Sequence, residues 1–279
     1  MISFATGLEQ STQFWDGERD ENVWGYGKRV RFVANSIIQG FPGSDLASIR
    51  VLDVGCGNGW FLAVPLARRG FDVTGIDLHE PSIDRARHFA DGLTNVRFAV
   101  GTVSELGTAR FDVVILSEVL EHVSDPKALL LASLERLKPD GIVLITVPNG
   151  YGEFEIDSWI FRTLHLQGAV DFLKRVFRNY SSEVVRGQQD LAATDNTECG
   201  HVHFFRHRQL KLMFTECSLN TVRESAGSFM CGPIVCYTVA RSRRFIDWNV
   251  RVTEKLPLTL SSSWYFVLRR RGLSVAGII

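Results

Sequence analysis

Five short apolar runs punctuate the first half of the chain, near residues 49–54, 71–76, 96–100, 111–116 and 141–147. Their length and content suit buried strands. Stretches of helical period lie between them, near 60–69, 81–90 and 126–137. Strand and helix in alternation predict a parallel sheet with helices on both faces. Pro139-Asp-Gly141 reads as the turn into the fifth strand. Residues 1–48 look helical and aromatic, with Phe14, Trp15, Trp24 and Tyr26 ahead of an amphipathic stretch from Arg29 to Ile38. Regularity fails between 150 and 200. Two amphipathic stretches, Trp159–Leu164 and Val170–Phe177, precede a polar segment at 181–198. It resumes with a helix near 207–216 and strand-like runs near 219–225 and 233–240.

The junction of the first strand and helix carries the strongest chemical signal. Val51-Leu-Asp-Val-Gly-Cys-Gly-Asn-Gly-Trp60 is a strand running into a loop with glycines at 55, 57 and 59. Glycines there let the backbone approach a ligand and reach positive φ cheaply. Asp77 ends the second strand, where a carboxylate can accept hydrogen bonds from both hydroxyls of a ribose. The spacing Asp53-x-Gly55-Cys56-Gly57-x-Gly59 departs from the G-x-G-x-x-G of a dinucleotide site.

That spacing resembles the first motif of class I S-adenosylmethionine-dependent methyltransferases, and later segments resemble their small-molecule O-methyltransferases of the ubiquinone-pathway type. Those segments are Thr102-Val-Ser-Glu-Leu106, Ser117-Glu-Val-Leu-Glu-His122 and His201-Val-His-Phe-Phe205. The resemblance implies a Rossmann-like, mostly parallel seven-stranded α/β sheet closed by an antiparallel hairpin, here expected from 219–225 and 233–240. It also implies S-adenosyl-L-methionine as cofactor. Asp53, Gly55, Cys56, Gly57 and Gly59 would cradle its amino-acid end, Asp77 and Leu78 its ribose, and Thr102 and Val103 its adenine, with Ser117 alongside. Cys56 reads as a small packing residue. Many relatives place an Asp near 102, and its absence leaves that contact to backbone groups.

Catalytic candidates follow from the fourth strand. It neighbours the first at the switch point of such a sheet, so Glu118, Glu121 and His122 stand beside the crevice. A helix starting near 118 would set them on one face. His122, His201 or His203 would take the acceptor's proton, with Glu118 nearby. The E-x-x-E-H spelling also resembles metal-assisted methyltransferases, in which Glu118, Glu121, His122 and His201 would hold a divalent ion. A plain base is the favoured reading, and a metal is the alternative.

Composition sets the bounds. Of 279 residues, 31 are Lys or Arg and 31 Asp or Glu, and the balance argues against nucleic acid as the main partner. Five cysteines at 56, 199, 217, 231 and 236 form no C-x-x-C pair, and no leader is recognised, which fits a reducing cytoplasm. No run of 18 apolar residues exists. The expected organisation is a helical cap at 1–48, a cofactor-binding domain at 49–240 with an insertion or substrate lid at 150–200, and a C-terminal extension at 241–279. Arg241, Arg243, Arg244 and Arg269–Arg271 flank aliphatic and aromatic runs there. Such a stretch can touch a membrane surface, though a strand and helix packed on the body is the plainer expectation. Nineteen phenylalanines suit an apolar or aromatic acceptor: a natural product, a quinone precursor or a lipid-linked sugar. The function expected is O-methylation of a small-molecule hydroxyl. Its rivals are N- or C-methylation, RNA 2′-O-methylation and a non-catalytic cofactor-binding subunit.

Overall fold

The computed structural model describes residues 21–166, 168, 202–239 and 242–272. Phe14, Trp15, Cys199, His201, Arg241 and the stretches 170–177 and 181–198 lie outside them.

In chain order the elements are α1 (Tyr26–Gly40), β1 (Arg50–Val54), α2 (Ala63–Arg68), β2 (Asp72–Asp77), α3 (Glu80–Phe89), β3 (Val96–Val100), β4 (Phe111–Ser117), α4 (Pro126–Glu135), β5 (Leu137–Pro148), α5 (Glu153–Thr163), α6 (His207–Glu216), β6 (Leu219–Ala226), α7 (Pro233–Thr238), α8 (Arg243–Val252) and β7 (Ser263–Arg270). They build one seven-stranded sheet of order β3-β2-β1-β4-β5-β7-β6. Strands β1 to β5 run parallel, and β7 is antiparallel to both β5 and β6. The parallel half is what the pattern predicts, and the seven-stranded, Rossmann-like α/β sheet is what the resemblance implies.

Alternation of side chains divides the core between two faces. Val51, Val113, Ile115, Ile142, Leu144, Tyr265 and Val267 point to one side and pack on α1 and α2 through Phe32, Ile37 and Leu66. Leu52, Val114, Leu116, Val143, Ile145, Trp264, Phe266 and Leu268 point to the other and meet Leu130, Leu134, Leu210 and Phe214. Many of these side chains are wholly buried, and each such burial stabilises by roughly 1.5–3 kcal/mol. The sheet is thus a rigid platform whose strand ends present the loops.

The C-terminal pairing differs from expectation. Residues 233–238 form a helix, and the strand opposite β6 is β7, at 263–270. Apolar Pro233-Ile-Val-Cys-Tyr-Thr238 has strand composition, but its helix is set from outside. Pro233 occupies the first turn, where a missing N–H costs nothing. Asp157 on α5 accepts from the N–H groups of Ile234 at 3.0 Å and Val235 at 3.3 Å. Glu153 accepts from those of Cys231 at 2.8 Å and Gly232 at 3.3 Å. Two distant carboxylates satisfy the orphan donors of this helix start. Asp157→Ala should lower stability by about 1–2 kcal/mol, as loss of a helix cap does. A thermal melt that does not move would refute this role.

The stretch from 243 is therefore no appendage. It contributes a helix and the interior strand β7, between β5 and β6, and α1 is tied to it. Buried Lys28 donates to the carbonyls of Gly227 and Val250, at 3.3 and 3.2 Å, and to Thr253 Oγ1 at 2.7 Å. No helix among the described residues is long and apolar enough to cross a membrane.

Candidate active site

The loop after β1 lies against the end of β2. Ile76 O accepts the N–H groups of Gly55 and Cys56 at 2.8 and 3.0 Å. The Asp77 carboxylate accepts from Gly57 N at 2.8 Å and from His79 N at 2.9 Å. Gly55, Gly57 and Gly59 all have positive φ, at 70°, 54° and 70°. A Cβ on Gly55 would also collide with Val119, so two constraints require glycine there. The first motif is thus a clamped, left-handed turn braced by Asp77.

A cavity of about 390 Å³ opens beside this loop, within the usual range of small-ligand sites. The loop side supplies Asp53, Gly55, Cys56 and Gly57, and the end of β4 and its loop supply Ser117, Glu118, Glu121 and His122. Trp24, Tyr26 and Arg29 close it from the N-terminal side, with Phe61, Leu62, Pro148, Asn149 and Phe154. Cys231, Ser262 and Ser263 complete the wall. Tyr26 and Trp24 line this cavity, and Tyr26 packs on Phe61 with ring centroids 4.7 Å apart.

The post-β4 segment is not the helix expected. Glu118 stands at φ 55°, and only Leu120–His122 make a short 3-10 turn. The left-handed residue still turns Glu118, Glu121 and His122 into the same cavity. Glu118 is held by its surroundings: Oε1 accepts from Thr146 Oγ1 at 2.9 Å and meets Arg29 Nη2 at 3.2 Å. Burial works against the Arg29 charge, but Glu118 and then Tyr265 and Tyr26 more than offset it, and its pKa rises. Arg29 carries no motif, and only its place in the first turns of α1 puts it here.

Glu121 is wholly buried, and neither carboxyl oxygen has a hydrogen-bond partner. Burial, then the charge of Glu118, push its pKa well above the usual carboxylate range. His122 Nε2 stands 3.8 Å from Glu121 Oε1, with its ring 30% exposed. The chain returns to this point after residue 201, since Glu121 O accepts the N–H groups of Val202 and His203 at 2.8 and 3.0 Å.

Other candidates stand apart. His203 Nε2 lies 3.3 Å from Ser124 O, and its ring stacks on Phe205, away from the cavity wall. His201 lies outside the described residues. Asp77 braces the loop from outside the cavity. Leu78 is 73% exposed beside it, Gly59 closes the turn against Phe98, Thr102 N donates to Glu105 Oε2 at 2.7 Å, and Val103 is buried. Ser117 Oγ is bonded to Thr146 Oγ1 at 2.8 Å. Among the described residues no three His, Cys, Asp or Glu side chains converge as a metal-binding group.

Buried Asp53 tests whether the site fits the expected cofactor. Its carboxyl is 3% exposed, faces the cavity, and has its pKa pushed up to about 7 by burial and then by Asp77. A buried acid without a cation, beside a left-handed glycine turn, fits the zwitterionic amino-acid end of S-adenosylmethionine.

Known proteins agree. A family model described as a methyltransferase domain matches residues 26–224. The chain is 34% identical to a ubiquinone biosynthesis O-methyltransferase of Rickettsia canadensis over 43% of its own length and 51% of that protein. It is 30% identical to a protein of the same description from Psychrobacter cryohalolentis, over 60% of its own length and 68% of the relative. The chain therefore spans about half the length of the first of these relatives. A solved structure of PKMT2 from Rickettsia typhi, in complex with AdoHcy, superposes with a TM-score of 0.55 at 17% identity. The match covers 86% of this chain and 53% of that one, and it speaks for the fold alone. With the braced glycine turn, the strand order and the extent of the family match, the chain belongs to the class I S-adenosylmethionine-dependent methyltransferases.

Proposed function

We propose that this protein methylates a hydroxyl oxygen of a small molecule, with His122 as the base. The observation that carries this reading is one cavity shared by the glycine turn and by His122. Bound S-adenosylmethionine supplies an electrophilic methyl carbon on an already activated sulfonium. The chain's own residues then need to align the partners, exclude water and remove one proton.

Asp53, Gly55, Cys56 and Gly57 would hold the amino-acid end of the cofactor in the cavity, and Asp77, which braces the turn from outside it, would meet the ribose where the cofactor extends past the turn toward the end of β2. Tyr26, Phe61 and Phe154 give the acceptor an apolar wall, and Trp24 narrows the mouth. His122 accepts the hydroxyl proton, since histidine ordinarily exchanges protons near neutral pH. Arg29 fixes Glu118, and Glu118 in turn shapes the loop that carries His122. Segment 150–200 acts as the acceptor's lid, and α5, within it, brings Phe154 to the cavity wall. Of the expected acceptors we favour a quinone precursor, in keeping with relatives described as ubiquinone biosynthesis O-methyltransferases. The balanced charge speaks against RNA.

Turnover separates the enzyme from a binding-only subunit. Purified protein with labelled cofactor and extracts of small phenols should release S-adenosylhomocysteine and a product heavier by one methyl. Mass spectrometry showing methyl on nitrogen or carbon would replace the O-methyl reading. No turnover beside tight cofactor binding would support the subunit reading.

Asp77→Asn should weaken S-adenosylhomocysteine binding at least tenfold, because hydrogen bonds to a charged group contribute about 1.5–3 kcal/mol. Calorimetry giving an unchanged affinity would take Asp77 out of the site.

A further inference from the structure

We propose that Tyr26 is a further catalytic residue. Its hydroxyl donates a hydrogen bond to the acceptor oxygen while His122 removes that oxygen's proton, and so carries part of the charge that develops there. The proposal rests on the O-methyl reading above and deepens it.

Tyr26 opens α1, and the turn ahead of it fixes its place. Asn22 Oδ1 accepts there from the N–H groups of Trp24 at 3.1 Å and Tyr26 at 3.3 Å. The Tyr26 ring packs on Phe61 with centroids 4.7 Å apart and on Trp24 at 6.0 Å. The Arg29 guanidinium stands over it, 5.3 Å from the ring centre. The ring is thus held on several sides, but its hydroxyl is not. A tyrosine hydroxyl inside a protein usually has a hydrogen-bond partner. That of Tyr26 has none among the described residues, and the residue is half-buried in the cavity wall. Burial raises its pKa, ahead of the opposing charge of Arg29 and the reinforcing charges of Glu118 and Cys231. It therefore keeps its proton at neutral pH and remains a donor. Arg29, Glu118 and Cys231 all line the cavity, so the phenol oxygen that feels them lies toward its interior.

His122 borders the same stretch of wall. Its Nε2 stands 3.8 Å from Glu121 Oε1, and Glu121, like Tyr26, feels the charge of Glu118. Neighbouring donors are already committed. Arg29 is paired with Glu118, Asn149 Nδ2 donates to the carbonyls of Thr259 and Ser261, and Ser117 Oγ is bonded to Thr146 Oγ1. Toward a hydroxyl the base and the phenol are complementary, since one takes its proton and the other donates to its oxygen. In the step, the acceptor's O–H bond breaks and the proton passes to the His122 ring. The oxygen's electron pair forms the new O–C bond, and the C–S bond breaks with its pair left on sulfur. Negative charge gathers on the oxygen as the proton leaves, and a donor already in place there lowers the barrier.

The test is Tyr26→Phe in the full chain, which keeps the ring and its packing. The acceptor is 4-methylphenol, or the phenol of the extract that the wild type methylates. We expect kcat to fall about 10²-fold, as on loss of one donor at a developing oxyanion. KM and the affinity for S-adenosylhomocysteine should stay within about twofold, because the interaction is made only in the transition state. His122→Ala combined with Tyr26→Phe should cost clearly less than the product of the two single losses, because both act on one oxygen. An unchanged rate, a loss that falls on KM or on S-adenosylhomocysteine affinity, or single losses that simply multiply would overturn the proposal and leave the O-methyl reading intact. Wild-type protein that binds S-adenosylhomocysteine but methylates neither 4-methylphenol nor any phenol of the extract would instead overturn that reading, and the proposal with it.

Discussion

His122→Ala is expected to slow methyl transfer about 10²–10⁴-fold while S-adenosylhomocysteine binds as before. A positioned base contributes about that much to proton transfer. Its imidazole lines the cavity and is 30% exposed, whereas the Glu121 carboxyl, 3.8 Å away, is wholly buried and out of an acceptor's reach. His203→Ala should leave the rate nearly unchanged, because that ring lies against Ser124 O and Phe205. His201→Ala completes the set. The rival is a metal held by Glu118, Glu121, His122 and His201. It predicts that a chelator silences the wild type reversibly and that Glu118→Ala and Glu121→Ala are as damaging as His122→Ala. A chelator-sensitive enzyme restored by a divalent ion would sink the plain-base reading.

Gly55→Ala is expected to weaken cofactor binding at least about tenfold in a folded protein. The position has φ 70°, where a residue with a Cβ is disfavoured by about 1–2 kcal/mol. The new methyl would strike Val119, one residue beyond Glu118. Relief needs a shift of the turn, of the His122 loop, or of both. A strain of that size is roughly a tenfold loss of affinity where binding needs the turn unshifted. Calorimetry should show at least that loss for S-adenosylhomocysteine, with circular dichroism unchanged. Wild-type affinity in the alanine variant would mean that the turn has room that the structure denies it.

Both variants touch residues legible in the chain itself. Asp53 to Gly59 and Asp77 stand out because a tight turn and a strand end are local events, dictated by backbone stereochemistry within a few residues. Glu118, Glu121 and His122 were visible for the same reason, as the polar exit from an apolar strand. Their conformation was not. A helix at 118 is the natural expectation, and the left-handed φ there depends on Arg29 and Thr146, which are 89 and 28 residues away. Arg29, Phe154, Cys231 and Ser262 had no local mark at all.

The C-terminal part makes the same point more sharply. Residues 233–238 have strand composition, yet they are helical because Glu153 and Asp157 bind the helix start from across the chain. With that run removed, β7 comes from 263–270, in a stretch read as an extension, and brings Ser262 and Ser263 to the cavity.

The sequence by itself determined the alternation of strand and helix, the parallel half of the sheet, the glycine turn and the acids beside it. Those features follow from hydrophobic period and from the φ that glycine permits, and both act over short distances. Only the tertiary structure decided which late strand closes the sheet, which walls complete the cavity, and which acids lack partners. Those outcomes depend on desolvation and on hydrogen bonds between residues far apart in the chain, and neither leaves a trace in local pattern.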